Sequence, residues 1–107
     1  MGDELQQAED LAAAQYTELR RQGTSSDDAA RALCGKRFPT STLSFLPVSY
    51  FRRQAIEVSR FGHKASLWWA SIAGVRRAAA ALGDLTPAAA LAPVRLGDCT
   101  GRKTGES

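Results

Sequence analysis

Four glycines divide this chain into stretches with a helical pattern. Gly23, Gly35, Gly62 and Gly83 each follow a stretch in which apolar residues recur every three or four positions. That spacing places apolar side chains on one face of an α-helix, and a glycine after the last periodic residue commonly ends a helix. Alternation of apolar and polar residues, which is typical of a half-buried strand, is absent from the sequence. The pattern therefore predicts an all-α fold.

The same spacing gives approximate bounds for the helices. The expected helices span residues 4–22, 27–34, 40–45, 48–61 and 64–82. Asp3 is expected to cap the first helix, and Pro47 separates the third from the fourth because proline disrupts a helix interior. The predicted core-facing residues are Leu5, Ala8, Ala12, Tyr16 and Leu19, then Val48, Phe51, Ala55 and Val58, and finally Trp68, Ile72, Val75, Ala79 and Leu82. These elements predict a small orthogonal or irregular bundle of four to five helices.

The length of 107 residues and the composition indicate one domain. Hydrophobic residues make up 44% of the chain, but 19 of them are alanines, which leaves 28 larger apolar or cysteine side chains for a core. Such a core is modest, and it is feasible where small residues let helices pack closely. We expect a single helical domain over residues 1–96 and a flexible, disordered C-terminal tail over residues 97–107.

Several features indicate a cytoplasmic location. Cys34 and Cys99 are too few for the disulfide framework of a small secreted protein, and Cys34 is expected to pack as a small apolar residue. The acidic N-terminal residues differ from the basic start of a signal peptide. The longest mostly apolar run, residues 65–75, is shorter than the about 20 residues that span a bilayer. We expect no membrane partner.

No pattern in the sequence indicates catalysis. His63 is the only histidine, and it is not paired with cysteine or acidic residues at the short spacing of a zinc site. The glycines and lysine of residues 97–104 are too closely spaced for a phosphate-binding loop and have no flanking strand or helix. We therefore expect no enzyme, no metal and no cofactor.

Charge is distributed unevenly along the chain. The net charge of +3 combines −5 in residues 1–19, +8 in residues 20–77 and zero in the remainder. The acidic first helix either meets a basic partner or folds over the chain's own basic middle. Arginine outnumbers lysine eleven to three, and adjacent basic pairs occur at Arg20-Arg21, Lys36-Arg37, Arg52-Arg53 and Arg76-Arg77. Such pairs are typical either of solvated helix surfaces or of a nucleic-acid footprint.

One segment resembles a known DNA-binding motif. Residues 27–35, DDAARALCG, combine a helix start, an internal alanine and a terminal glycine, and residues 38–43, FPTSTL, follow with a Ser/Thr-rich start. Together with the lead-in from Leu19, residues 19–44 resemble a bacterial or transposon-type helix-turn-helix, whose second helix enters the DNA major groove. The resemblance implies duplex DNA as partner. It implies base-edge contacts by Thr40, Ser41, Thr42 and Ser44, and phosphate contacts by Lys36, Arg37, Arg52 and Arg53.

Residues 47–87 carry a second resemblance. A proline-led helix, Gly62, the pair Arg76-Arg77, and Gly83 before Pro87 resemble the helical core-binding domain of tyrosine recombinases. The two resemblances together favour a DNA-binding regulatory protein, or a mobile-element protein of phage or plasmid type.

The two adjacent tryptophans support a different function. Neighbouring residues cannot share one helix face, and Trp68 belongs to the core-facing stripe. Trp69 therefore lies either on a second buried face of the helix or, with Tyr50 and Phe45, in an exposed aromatic anchor of the kind enriched at interfaces. In the second case the protein is a small helical interaction module: an adaptor, an inhibitor or a homodimer.

Overall fold

The computed structural model describes residues 2–35, 43 and 46–85. Within these residues the chain forms four α-helices and no strand, which confirms the all-α prediction. The helices are α1 (Gly2–Arg21), α2 (Ser26–Cys34), α3 (Val48–Val58) and α4 (His63–Ala81). None of these four combines the length and apolar character that crossing a membrane requires. Only residue 43 of the helix predicted over residues 40–45 is described, and the tail predicted over residues 97–107 lies outside the described residues.

Local hydrogen bonds explain where the helix ends differ from expectation. α1 starts at Gly2, so Asp3 lies in its first turn, where the helix dipole favours an acid, and is not its cap. α2 begins after Ser25, whose Oγ accepts a hydrogen bond from the backbone N–H of Asp28 at 3.2 Å. α3 ends at Val58, three residues earlier than predicted. The chain tightens there, because the Phe61 N–H donates to the Val58 carbonyl, three residues back.

α4 is the central element of the core. Nine of its residues are buried, and they lie all round the helix: Ser66, Ala70, Ile72, Ala73, Gly74, Val75, Arg76, Ala78 and Ala79. α1, α2 and α3 all pack against it. Small side chains on α4 leave room for the largest fully buried side chains, which include Tyr16, Phe51 and Leu46. The prediction that Leu82 faces the core is wrong: α4 ends at Ala81, and the Leu82 side chain is 46% exposed in the turn beyond it.

α1 and α4 approach most closely at Gly74. A Cβ atom at this position would overlap the carbonyl oxygen of Glu9 and lie 3.0 Å from the Cβ of Ala12. The backbone of α1 therefore rests directly on the α4 surface, and the side chain of Glu9 is buried beside the contact, with Glu9 only 2% exposed. This crossing decides which basic residues the acids of α1 reach.

Candidate nucleic-acid interface

The Arg20-Arg21 pair is held by acidic residues. Arg20 binds Asp84 with both ends of its guanidinium group, Nε to Oδ2 and Nη2 to Oδ1, each at 2.9 Å. Its Nη1 donates to the carbonyl of Thr24, also at 2.9 Å. Arg21 contacts Glu18 one helical turn earlier, at 3.3 Å. Arg20 therefore joins the end of α1 to the turn that follows α4, and its geometry is that of a structural ion pair.

Asp84 has a second partner in the hydroxyl of Tyr16, which donates to Oδ2 at 2.5 Å. The hydrogen bonds from Arg20, followed by that from Tyr16, hold the pKa of Asp84 below its usual value. Burial and the bond to Asp84 raise the pKa of Tyr16 well above its usual range, so this hydroxyl stays protonated as a donor. The three side chains form one network between α1 and the end of α4.

We expect Asp84→Asn to weaken the acid dependence of stability. A carboxylate whose pKa is lowered by folding stabilises the fold above its ordinary pKa of 3.8, and that contribution is lost as the pH falls through the folded-state pKa. At pH 7 the variant should lose about 1–2 kcal/mol of unfolding free energy, a value reduced for the partial exposure of Arg20. Below pH 4 its stability should approach that of wild type.

Urea unfolding at pH 7, 4 and 3 measures this effect. Asp27→Asn provides the control, because Asp27 is an exposed acid in the first turn of α2. Equal pH dependence of stability in wild type and Asp84→Asn would show that the network does not determine how the free energy of unfolding falls at low pH.

Glu9 forms ion pairs with two more residues of the basic pairs. Arg77 approaches its Oε2 at 2.9 Å and also binds Asp10 at 2.9 Å. Arg52 approaches Oε1 of Glu9 at 3.4 Å and donates to the Oε1 of Gln6 at 2.9 Å. Of the two arrangements left open by the sequence, α1 thus adopts the second and folds over the chain's own basic middle. The guanidinium group of Arg52 is directed toward α1, and its contact with phosphate stays a prediction.

Arg76 differs from its neighbour Arg77 in burial and in its bonding partners. It is only 2% exposed, and its Nε donates to the carbonyl of Leu46. Its Nη1 is buried without a hydrogen-bond partner. Burial lowers the pKa of this guanidinium below its usual value. The pair Arg76-Arg77 therefore does not form a shared basic surface: one member is in the core and the other binds the acids of α1.

Three basic side chains in the described part of the chain lie exposed with no ion pair. They are Arg53 on α3, Arg60 in the turn that follows it, and Lys64 at the start of α4. We call these three residues the α3 basic face. Glu57 is also exposed and lies between Arg53 and Arg60 in sequence. With three cations and this one anion, residues 53–64 carry a net positive charge.

Most of the residues predicted from the helix-turn-helix resemblance lie outside the described residues. These are Lys36, Arg37, Thr40, Ser41, Thr42 and Ser44. Of the predicted phosphate contacts, only Arg52 and Arg53 are described. The two are adjacent in α3, and they differ because Arg52 binds Glu9 whereas Arg53 is free of ion pairs.

Tyr50 and Trp69 belong to a cluster of four aromatic rings. The ring of Trp69 lies 5.0 Å from that of Trp68, 6.0 Å from Phe51 and 6.1 Å from Tyr50, measured between centroids. Trp68 also donates its indole N–H to the carbonyl of Cys34 at 2.6 Å. Tyr50 and Trp69 are partly buried and pack against the core. This position agrees with a helix packed on two sides, the first of the two alternatives for Trp69.

Sequence reasoning missed the most exposed large apolar side chain in the described residues. Phe61 is 87% exposed, and Ile56 on α3 is 56% exposed. Ile56 falls outside the stripe formed by Val48, Phe51, Ala55 and Val58, and this mismatch is the available signal for its exposure, whereas Phe61 follows Val58 at helical spacing. Because the predicted helix ran on to residue 61, the turn that carries Phe61 was not anticipated.

The remaining candidate groups are the Cys34 thiol and clusters of metal-ligating side chains. Burial raises the pKa of the Cys34 thiol to about 12, and the residue packs in the core as expected for a small apolar side chain. No three His, Cys, Asp or Glu side chains come together as a metal site within the part of the chain that is described. Comparisons with protein-family models, curated proteins and solved structures give no match to this chain.

Proposed function

We propose that the protein binds DNA through the α3 basic face, as a small regulatory or mobile-element protein without enzymatic activity. The observation that supports this function is a difference between two groups of described basic side chains. Arg20, Arg52 and Arg77 are bound to acids that join the helices. Arg53, Arg60 and Lys64 have no such role and are exposed, which leaves them available for phosphates.

The segment that precedes α3 in the chain carries further positive charge. Lys36, Arg37 and the Ser/Thr-rich residues 40–44 precede α3 in the chain, and the helix-turn-helix resemblance assigns them to DNA contacts. Phosphate contacts release counterions, so about six of them give a slope of about −5 for log K against log salt concentration. A slope of that order is expected for duplex DNA.

Paired variants test whether the α3 basic face makes these contacts. Arg53→Gln combined with Arg60→Gln is expected to reduce the magnitude of the salt slope by about 2, because each phosphate contact contributes about 0.9. Arg21→Gln combined with Arg31→Gln removes the same charge from α1 and α2, where both arginines already contact acids. That control pair should leave the slope within about 0.5 of wild type.

Fluorescence anisotropy of a labelled mixed-sequence duplex, titrated at several salt concentrations, measures the slope. Binding that is absent even at low salt would contradict the proposed function. Equal slopes for the two paired variants would place the phosphate contacts elsewhere on the protein.

The interaction module is the second candidate function. It is favoured by the exposed apolar side chains of Ile56 and Phe61, rather than by Trp69, which packs into the aromatic cluster. Large exposed apolar side chains are common at protein interfaces. If no duplex binds, sedimentation velocity over a range of protein concentrations distinguishes a self-associating module from a monomer.

A further inference from the structure

Phe61 is exposed in a turn whose backbone is hydrogen-bonded. It occupies the turn between α3 and α4, and 87% of it is exposed. The N–H groups of Phe61 and Gly62 both donate to the carbonyl of Val58 at 2.8 Å. On the other side, the carbonyl of Gly62 accepts the N–H of Ser66 at 3.0 Å. These hydrogen bonds fix the backbone of the turn from which the exposed Phe61 ring projects.

The exposed charged residues close to Phe61 in sequence are predominantly positive. Arg60 precedes it, Lys64 follows three residues later, and Arg53 is exposed on α3 eight residues earlier. α4 begins at His63, and the N-terminus of a helix adds partial positive charge. Two acids oppose this charge. Glu57 is exposed four residues before Phe61 in the chain, and Glu4 contacts Nε2 of His63 at 3.3 Å. The complementary partner is therefore anionic and offers an apolar surface to the ring.

We propose that Phe61 stacks on an unpaired nucleobase while Arg60 and Lys64 contact the flanking phosphates. This inference rests on the proposed function and specifies the kind of nucleic acid. Nucleobases have flat faces that stack on aromatic side chains, and the adjacent phosphates match the cations beside the ring. In an intact duplex those faces are already stacked, and separating a base step costs about as much as a single new stack returns. An unpaired base incurs no such cost.

Three labelled oligonucleotides of common sequence test the proposal: an intact duplex, the same duplex with one bulged base, and the bulged duplex with an abasic residue at the bulge. Wild type is expected to bind the bulged duplex about 5- to 150-fold more tightly than the other two, which is the range for one base–aromatic stack. Phe61→Ala and Phe61→Leu should both lose this preference, because leucine keeps apolar bulk but not the aromatic face. Leu11→Ala, which truncates an exposed apolar side chain on α1, is the control and should keep it.

The salt slope separates this inference from the proposed function. Phe61→Ala should bind the intact duplex with the wild-type slope, since it removes no phosphate contact. Tight, salt-dependent binding without a preference for the bulge would overturn the inference and leave the proposed function standing. Failure to bind any of the oligonucleotides would overturn both. Binding to phosphatidylserine vesicles that Phe61→Leu retains, without a bulge preference, would assign the ring to a lipid surface and overturn the inference.

Discussion

Replacing Gly74 by alanine is expected to destabilise the protein by about 3 kcal/mol or more. The added Cβ would overlap the carbonyl oxygen of Glu9 and lie 2.9 Å from its carbonyl carbon. These atoms belong to the backbone of α1, so they cannot rotate away as a side chain does. Relief requires the two helices to separate, and α1 would then lose packing along its contact with α4. A domain of this size has a total stability of about 5–15 kcal/mol, so the change is a large fraction of it.

The sign of the effect is decisive, because helix propensity alone predicts the opposite. Alanine is favoured over glycine in a helix interior by about 1 kcal/mol, which would make Gly74→Ala stabilising if the site had room. Ala80→Leu is the control, since it enlarges an exposed side chain of the same helix and should change stability by less than about 0.5 kcal/mol. Urea and thermal unfolding measure both variants. A Gly74→Ala protein as stable as wild type would contradict the close crossing of α1 and α4.

The sequence was sufficient to predict the four described helices because their limits depend on local chemistry. Apolar periodicity and glycine stops located each one, and the short hydrogen-bonded turn after Val58 accounts for the largest error. The adjacent tryptophans also left open a helix packed on two sides. Periodicity identifies one buried face, however, and α4 is buried nearly all round. The core position of Arg76 therefore could not be read from its place beside Arg77.

The candidate site was predicted only in part, for a related reason. The excess of acid in α1 indicated that this helix could neutralise the basic middle of the chain. The register that brings Glu9 to both Arg52 and Arg77 depends on how α1 crosses α4, which sequence spacing does not specify. Arg52 and Arg53 look equivalent in the sequence, and the tertiary contact alone separates the arginine bound to α1 from the one left exposed.

Arg76 and Arg77 are expected to respond in opposite directions to the same substitution. Arg76→Met should raise the free energy of unfolding by about 1–3 kcal/mol, because it removes a buried charge that has no acidic partner among the described residues. Methionine is unbranched and flexible enough to fill much of the same space. The carbonyl of Leu46 loses its donor, and this offsets about 1 kcal/mol of the gain.

Arg77→Met should instead lower stability by about 1–2 kcal/mol, because buried Glu9 would retain only the more distant Arg52. The partial exposure of Arg77 keeps this loss below that of a fully buried pair. Urea unfolding of the two variants gives the comparison, and a loss of stability in Arg76→Met would show that the buried guanidinium contributes net stability through Leu46. Because Arg76 is only 2% exposed, the salt slope for duplex binding should be the same in Arg76→Met as in wild type. A reduced slope in that variant would mean that Arg76 reaches phosphate, and the α3 basic face would then not account for binding by itself.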